Sequence, residues 1–325
     1  MRLTDVDPAQ HDGILDSTYP LWGEGLSRDA YGRWNQAQLQ TTWGRDHLRR
    51  VALVREGEVM ASAKRYDLTA VVGGESMPVL GIGAVFTPTA HRGQGHAASL
   101  LRAMHIDAQA RGCRWALLFS EIGPDYYERL GYRAMPQVVQ TIAARRDAKR
   151  GAPAVLLRSG ESSDLPHIAE ISARDVESAS FALDRSADFI GFGVTKRRLL
   201  AGLSNPGVRQ LEFFVTEEGT RAVAFVVVSR GAAGLVLEDY GDRDPTGARV
   251  GAMLQVLDAR LPADQPLRLR SRRFRAGLPP QVSLVEERPA AEIMMLRPIG
   301  SADGDFADAD WPDPDRIVYR GLDVF

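Results

Sequence analysis

The feature that most constrains the fold is a pattern of three strand-like runs that occurs twice along the 325-residue chain. In the first half, residues 50–86 are interrupted at 56–57 and 73–74 by Glu-Gly and Gly-Gly, which are dipeptides typical of hairpin turns. In the second half, residues 211–242 show the same rhythm, with a Glu-Gly turn at 218–219 and a further glycine-containing turn. Each half therefore predicts a three-stranded antiparallel meander.

The elements around each meander recur as well. An acidic turn and an amphipathic helix come before it, and a helix followed by a short apolar strand comes after it, as in "GARVGAMLQVLDARL" and "PLRLRSRR" of the second half. We therefore expect an α/β protein with mixed sheets (α+β) that is built as two tandem domains, residues 1–145 and 154–298. Residues 299–325 form a tail whose apolar end we expect to dock in the cleft between the two domains, near the active site.

Composition excludes several classes of protein. The formal net charge of −2 does not predict a nucleic-acid partner, and a single cysteine, Cys113, excludes an intrachain disulfide. The start of the sequence does not resemble a secretion signal, and no apolar run reaches the roughly 20 residues that cross a bilayer. We expect a soluble, cytoplasmic protein with no membrane partner, no nucleic acid and no metal ion.

The junction between the third strand and the next helix is the strongest local signal. The hexapeptide Arg92-Gly93-Gln94-Gly95-His96-Ala97 precedes a run in which apolar residues recur at helical spacing, with Gly112 as its stop. A helix N-terminus offers unpaired amides, and glycines let the backbone approach an anion closely. The spacing matches neither the P-loop nor the dinucleotide fingerprint. By itself, the hexapeptide fits either an anion-binding loop or a plain turn.

The wider context of this loop resembles the GNAT superfamily of acyl-CoA N-acetyltransferases. The residues that carry the resemblance are Arg92, Gly95 and Ala97 in the loop, and Tyr127, Gly131 and Tyr132 downstream. The resemblance implies that acetyl-CoA is the co-substrate. It also implies that its pantetheine arm binds the backbone of Val85, Phe86 and Thr87, and that its pyrophosphate binds the amides of residues 92–97.

Within that superfamily, the tandem plan and the stretch "FSEIGPDYYERLGY" are similar to Eis-type acetyltransferases. The chain departs from that pattern at its C-terminal end, where Eis-type enzymes carry a third domain and this sequence has a short tail. The second repeat has "LEDYGDRDPTGARVG" in place of the loop, and its aspartates Asp239, Asp242 and Asp244 would repel a pyrophosphate. We therefore expect a degenerate second domain that does not bind CoA.

Three residues are candidates for the chemistry. The resemblance implies that Tyr127 lies near the thioester sulfur, where a phenol can protonate the thiolate; the adjacent Tyr126 is better explained by packing. A base must deprotonate the amine. Glu121, unless it is only a solvated carboxylate, is one candidate. The other, by resemblance to Eis-type enzymes, is the terminal carboxylate of Phe325, unless the tail only joins the domains.

The acceptor pocket of this fold is usually shaped by the segment after the first helix. There Trp22, Tyr31 and Trp34 can face a cationic acceptor, while Glu24 and Asp29 can neutralise it, although each aromatic can equally belong to the core. We expect a small-molecule or lysine-like amine acceptor and leave a homo-oligomer open. The alternatives are a catalytically silent CoA-binding scaffold or sensor and, less compatible with the tandem plan, a protein N-acetyltransferase.

Overall fold

A computed structural model describes residues 1–146, 153–174, 176–232, 234–300 and 311–325. Most of the segment between the two predicted domains, residues 146–153, and residues 301–310 of the predicted tail lie outside these ranges. The described helices are α1 (Pro8–Trp22), α2 (Arg28–Gln40), α3 (Thr42–His47), α4 (His96–Ala110), α5 (Asp125–Glu128), α6 (Leu165–Arg174), α7 (Ala187–Leu203) and α8 (Ala248–Asp258). The described strands are β1 (Arg2–Asp5), β2 (Leu48–Arg55), β3 (Glu58–Val72), β4 (Glu75–Phe86), β5 (Trp115–Ser120), β6 (Arg133–Met135), β7 (Val138–Ala144), β8 (Arg158–Ser159), β9 (Phe181–Leu183), β10 (Gln210–Glu218), β11 (Arg221–Gly231), β12 (Gly234–Asp242), β13 (Arg268–Arg272), β14 (Val282–Pro289), β15 (Ile293–Pro298) and β16 (Ile317–Val318).

Both predicted meanders are present. Strands β2, β3 and β4 pair antiparallel in one sheet, and strands β10, β11 and β12 do so in the other. The turns fall where the sequence places them, because Gly57, Gly73, Gly74 and Gly219 have positive φ angles, which glycine adopts without a steric penalty. The mixed α/β fold class is confirmed.

The two sheets exchange strands late in each half of the chain. The first sheet runs β1-β2-β3-β4-β5-β15-β6, so β15 from the second half lies between two strands of the first half. The second sheet runs β14-β7-β13-β12-β11-β10-β8, with β7 from the first half between two strands of the second. The division into domains at residues 145 and 154 stays a prediction. Because β7 and β15 each pair in the sheet of the other half, backbone hydrogen bonds join the two halves of the chain in both sheets.

The described part of the tail docks on the first sheet and on α7. Strand β16 pairs with β9, which in turn pairs with β3. Tyr319 belongs to the hydrophobic core between the two segments, and Val324 and Phe325 pack against that core. Leu322 packs into the core that α6 and α7 form with the second sheet. Within the residues described, no helix is both long enough and apolar enough to cross a membrane.

Candidate active site

Strands β4 and β5 separate at the edge of the first sheet. They pair in parallel from Val79–Trp115 to Ile82–Leu118, and their pairing ends there although both strands continue. The separation follows from a β-bulge, because the step from Ser62 to Lys64 on β3 is matched by three residues on β4, with Ala84 at a φ of 49°. A bulge bends its strand away from its neighbour. The facing edges of the two strand ends are therefore open to an extended ligand.

Helix α4 begins at the predicted loop, directly after β4. Gly93 and Gly95 have φ angles of 75° and 77°, so both positions favour glycine whatever the space around them. The first turn of α4 leaves amides without intrahelical acceptors. Arg92 holds the loop to the strand end, since its Nε donates to the carbonyl of Thr87 at 3.3 Å. These features suit the binding of a phosphate group.

The polar side chains in and next to the loop have partners either within the loop or on β3. His91 Nε2 lies 2.9 Å from Glu58 Oε1, and the buried His96 contacts Gln94 Oε1 through Nε2 at 3.3 Å. Gln94 also donates to the carbonyl of Ala90 at 3.3 Å. These contacts fix the shape of the turn ahead of the helix. Ala97 follows as the second residue of α4 and Phe86 is buried at the strand end.

A cavity of about 490 Å³ opens at the divergent strand ends. Its wall brings together eight of the residues predicted from the sequence: Trp22, Glu24, Tyr31, Trp34, Val85, Glu121, Tyr127 and Phe325. Strands β2 to β5, helices α2 and α7 and the end of the tail contribute most of its lining. Residues that the sequence analysis assigned to catalysis and to acceptor binding, far apart along the chain, therefore line the same cavity.

The aromatic residues of the cavity are held by specific contacts. Tyr31 is buried, and its hydroxyl lies 3.1 Å from Thr18 Oγ1. Trp34 donates from Nε1 to the carbonyl of Lys196 at 3.1 Å, and Trp22 packs edge-on to Phe86. The three rings line the cavity and also pack in a hydrophobic cluster, so the two alternatives weighed from the sequence are compatible.

The acidic residues predicted for the acceptor are placed differently. Glu24 is at the cavity but forms an ion pair with Arg209 at 2.8 Å. Asp29 is exposed in the first turn of α2 and does not line the cavity, because the buried face of that turn is formed by Ala30 and Tyr31. Asp29 is therefore not in position to neutralise a cation in this cavity.

Tyr127 lies on the short helix α5 and is 8% exposed. Burial, and then the neighbouring Tyr126, raises the pKa of the Tyr127 phenol to about 12. The ring is flanked edge-on by Tyr126 and Tyr132, with centroid distances of 5.1 and 5.9 Å. Tyr126 itself packs against the core of the first segment, in keeping with its predicted role. Glu121 follows β5 directly and is exposed at the cavity mouth.

Phe325 is fitted between three parts of the first sheet. Its ring stacks on Tyr66 with a centroid distance of 4.2 Å and meets Phe119 edge-on at 5.4 Å. A Cβ on Gly81 would lie 2.8 Å from the Phe325 Cζ, and a Cβ on Gly83 would lie 3.3 Å from the Phe325 main-chain oxygen. The two glycines therefore let the end of the chain, ring and carboxylate together, lie against β4 beside the bulge.

Sequence reasoning missed the basic residues of the cavity. Arg50, Lys64 and Lys196 line it, and their hydrogen-bond acceptors are neutral oxygens of Asn35, Gln38 and the Val324 main chain. Burial lowers the pKa of each of these side chains. A sequence signal existed: the chain has only three lysines, and one of them falls within a run otherwise typical of a buried strand.

The second repeat carries its own anion at the corresponding helix start. Helix α8 follows Gly247, whose φ is 67°, just as α4 follows Gly95. The carboxylate of Asp242 accepts from the amides of Arg249 at 2.8 Å and Val250 at 3.3 Å. A side-chain carboxylate thus occupies the amides that a phosphate would need, which is the physical basis of the degeneracy of this domain.

Comparisons with known proteins agree with this architecture. Residues 25–135 match the family model described as an acetyltransferase (GNAT) domain. No curated protein matches the chain by sequence. A GCN5-related N-acetyltransferase from Anabaena variabilis superimposes with a TM-score of 0.66 at 14% identity, over 91% of this chain and 72% of that one.

Two further structures extend the comparison. Eis1 from Mycobacterium abscessus gives a TM-score of 0.58 at 16% identity, over 92% of this chain and 74% of that one. N-myristoyltransferase from Saccharomyces cerevisiae, solved with bound myristoyl-CoA, gives 0.53 at 11% identity, over 98% of this chain and 85% of that one. The chain therefore contains a GNAT acetyltransferase domain, at residues 25–135, within an Eis-like tandem-GNAT fold.

Proposed function

We propose that this protein is an N-acetyltransferase that moves an acetyl group from acetyl-CoA to a primary amine of a small-molecule or lysine-like acceptor, by direct attack in a ternary complex. One observation carries the proposal. The divergent ends of β4 and β5, the Tyr127 phenol and the Phe325 carboxylate meet at one cavity. A GNAT acetyltransferase domain spans most of that wall.

The residues present suit an acyl-CoA donor. When bound, acetyl-CoA supplies an activated acetyl thioester. The amides at the start of α4 would hold its pyrophosphate, since they are free of intrahelical acceptors and follow the left-handed Gly95. The open edges of Val85, Phe86 and Thr87 would hold its pantetheine arm by backbone hydrogen bonds, in the gap where β4 and β5 no longer pair.

Tyr127 is proposed to stabilise the departing thiolate. With a pKa of about 12, its phenol remains protonated at neutral pH. A thiol ordinarily has a pKa near 8.5, so complete transfer of the proton from this phenol to the thiolate would be unfavourable by about 3.5 pKa units. Tyr127 therefore acts chiefly as a hydrogen-bond donor to the sulfur, and it contributes when negative charge develops there.

The Phe325 carboxylate is proposed to accept the proton of the acceptor amine. Its position against Gly83 lies beside the bulge of β4, where the reacting carbonyl is expected. A free alkylamine has a pKa near 10.4 and is protonated at neutral pH, so attack requires a base or a water chain. Glu121, at the cavity mouth, is the second candidate for this role.

The test is thiol release from acetyl-CoA with lysine, polyamines, aminoglycosides and peptides as acceptors, repeated with longer acyl-CoA donors. A chain extended by one glycine after Phe325 keeps every side chain but moves the carboxylate by up to about 3.5 Å. Phe325→Leu is the matched variant, because it replaces the aromatic ring with a smaller aliphatic side chain but leaves the terminal carboxylate on the same residue. Deletion of residues 322–325 removes both, together with the buried Leu322.

A catalytic carboxylate predicts that the glycine extension loses turnover, with CoA affinity and thermal stability retained, while Phe325→Leu keeps substantially more activity. Full activity of the extended chain would assign the base role to Glu121 and leave Phe325 as packing. Tight CoA binding without turnover of any acceptor, in the unaltered chain, would favour the catalytically silent scaffold or sensor.

A further inference from the structure

The charged groups of the cavity do not balance. Among the acids at its wall, Glu24 pairs with Arg209, and Glu292 pairs with Arg272. On the basic side, only Arg197 has an acidic partner, Glu238 at 3.2 Å. Within the described chain, Arg50, Lys64 and Lys196 hydrogen-bond only to neutral oxygens. The remaining acids of the wall are Glu121 and the terminal carboxylate of Phe325, and neither forms an ion pair with Arg50, Lys64 or Lys196. The cavity wall therefore holds three basic side chains that have no acidic partner within the described residues.

Arg50 is the member of this group with the clearest need for a negatively charged partner. It is 6% exposed, and a guanidinium stays charged at any pH a protein tolerates. Its Nη2 donates to Asn35 Oδ1 at 3.3 Å, whereas its buried Nη1 has no hydrogen-bond partner in the described residues. A buried charge without a partner destabilises a fold by several kcal/mol. A ligand that brings a negative charge to this atom would remove the imbalance.

Lys64 stands beside Arg50 on the neighbouring strand, where the two residues are paired across β2 and β3. Its ammonium contacts Gln38 Oε1 at 3.2 Å and lies 5.8 Å from the centre of the Trp34 ring. The charges of Arg50 and Lys196 contribute, after burial, to lowering the pKa of Lys64. An anion bound between these groups would reverse that effect and hold Lys64 in its charged form.

We propose that the acceptor carries a carboxylate, which binds between Arg50 Nη1 and Lys64 Nζ while its amine faces the Phe325 end of the cavity. This inference rests on the proposed function, and it names the acceptor class as amino-acid-like rather than polycationic. The two donors suit the two oxygens of one carboxylate, since Arg50 has one nitrogen to offer and Lys64 can offer another. An acceptor with several positive charges would be repelled by the same groups.

The experiment compares acceptors that share an amine but differ in the acid. Acetyl transfer is measured with L-lysine, L-lysinamide and cadaverine, and with β-alanine, ethanolamine and O-phosphoethanolamine. The same ligands are titrated by calorimetry in the presence of CoA. The variants are Lys64→Gln and Arg50→Gln, with Lys64→Arg as the charge-conserving variant and Arg55→Gln as an exposed control on the same strand as Arg50.

The inference predicts a KM about 10- to 100-fold lower for the carboxylate member of each set, which is the range for a charge-assisted hydrogen bond. Lys64→Gln should reduce that preference by about 10-fold without raising the KM for cadaverine, and Lys64→Arg and Arg55→Gln should keep it. A variant that fails to fold would lose activity with every acceptor alike, whereas the predicted effect is a change in the ratio of the KM values for acceptors without and with a carboxylate. Because that ratio is measured within one variant, it also separates a binding role from a structural one.

Three outcomes would overturn the inference. One is equal KM and Kd values for lysine, lysinamide and cadaverine. The second is a carboxylate preference that survives in Lys64→Gln and Arg50→Gln, and the third is stronger use of O-phosphoethanolamine than of β-alanine. If no amine is acetylated, the proposed function fails, but calorimetry still tests whether the cavity binds a carboxylate. Carboxylate-dependent binding that is lost in Lys64→Gln supports the inference, and no binding by any carboxylate ligand overturns it.

Discussion

Lys196 should make the stability of this protein depend on pH in a way that a single substitution removes. Burial, followed by the charge of Arg197, lowers the pKa of Lys196 from about 10.5 to about 7. Below pH 7 both the folded and the unfolded chain hold this proton. Between pH 7 and about 10.4, only the unfolded chain holds it, so the free energy of unfolding rises with pH.

The size of the effect follows from one proton. A difference of one bound proton changes the free energy of unfolding by about 1.4 kcal/mol per pH unit. From pH 7.5 to 9.5, Lys196 should therefore contribute a rise of about 2 kcal/mol. In Lys196→Met this contribution is absent. Titrating groups that do not interact with Lys196 cancel in the difference, whereas the pKa of Lys64, which the charge of Lys196 helps to lower, rises in Lys196→Met and adds to the difference in the same direction.

Urea unfolding at pH 7.5, 8.5 and 9.5 measures this difference, with Arg55→Met as the control for loss of an exposed cation that does not titrate in this range. Between pH 7.5 and 9.5, the free energy of unfolding should rise by similar amounts in the wild type and in Arg55→Met. In Lys196→Met that rise should be smaller by about 2 kcal/mol. Parallel pH profiles for Lys196→Met and the wild type would refute the lowered pKa and, with it, the description of this part of the cavity as poorly solvated.

Three further predictions concern the CoA site and the chemistry. Gly95→Glu should abolish CoA binding, because a side chain is strained at a φ of 77° and its carboxylate would repel the pyrophosphate; unchanged affinity by calorimetry in a folded variant would contradict the loop assignment. Tyr127→Phe should lower kcat by roughly 10²- to 10³-fold, the range for losing one hydrogen-bond donor to developing charge, with little loss of acetyl-CoA affinity, and a wild-type rate would remove Tyr127 from the mechanism. Calorimetry should give one CoA per chain, because Asp242 occupies the equivalent amides of the second repeat, and two per chain would show that repeat to be competent.

Sequence reasoning succeeded where local rules decide the structure. The hairpin turns and the start of α4 depend on glycines at positive φ, and such positions are visible in a single sequence. The strand exchange was not foreseen. Strand β7 pairs with β13 and β14, more than 120 residues away along the chain, and β15 pairs with β5, more than 170 residues away. Alternating apolar residues indicate a strand but do not specify its partner.

The charge of the cavity was also beyond sequence reasoning, for a different reason. The prediction of an acidic acceptor pocket relied on Glu24 and Asp29, which are near the aromatic residues in sequence. In the structure Arg209, from the second half of the chain, neutralises Glu24. Lys196 reaches the same cavity from α7, a helix that the sequence analysis did not identify. The sign of a pocket depends on which distant elements meet there, and local spacing does not contain that information.

Gly81 and Gly83 link this difficulty to the proposed chemistry. Glycine within a strand is destabilising unless something approaches the backbone closely, so the sequence Gly-Ile-Gly at the end of a strand indicates a contact without naming it. The contact is Phe325: its ring lies over Gly81 and its carboxylate over Gly83, on the face of the sheet to which Tyr66 of β3 also belongs. Ile82, between the two glycines, points into the opposite core. The bulge at Ala84 follows immediately. The same four residues of β4 thus admit the chain terminus on one face and end the pairing with β5, so the proposed base and the proposed thioester site are set by a single short segment.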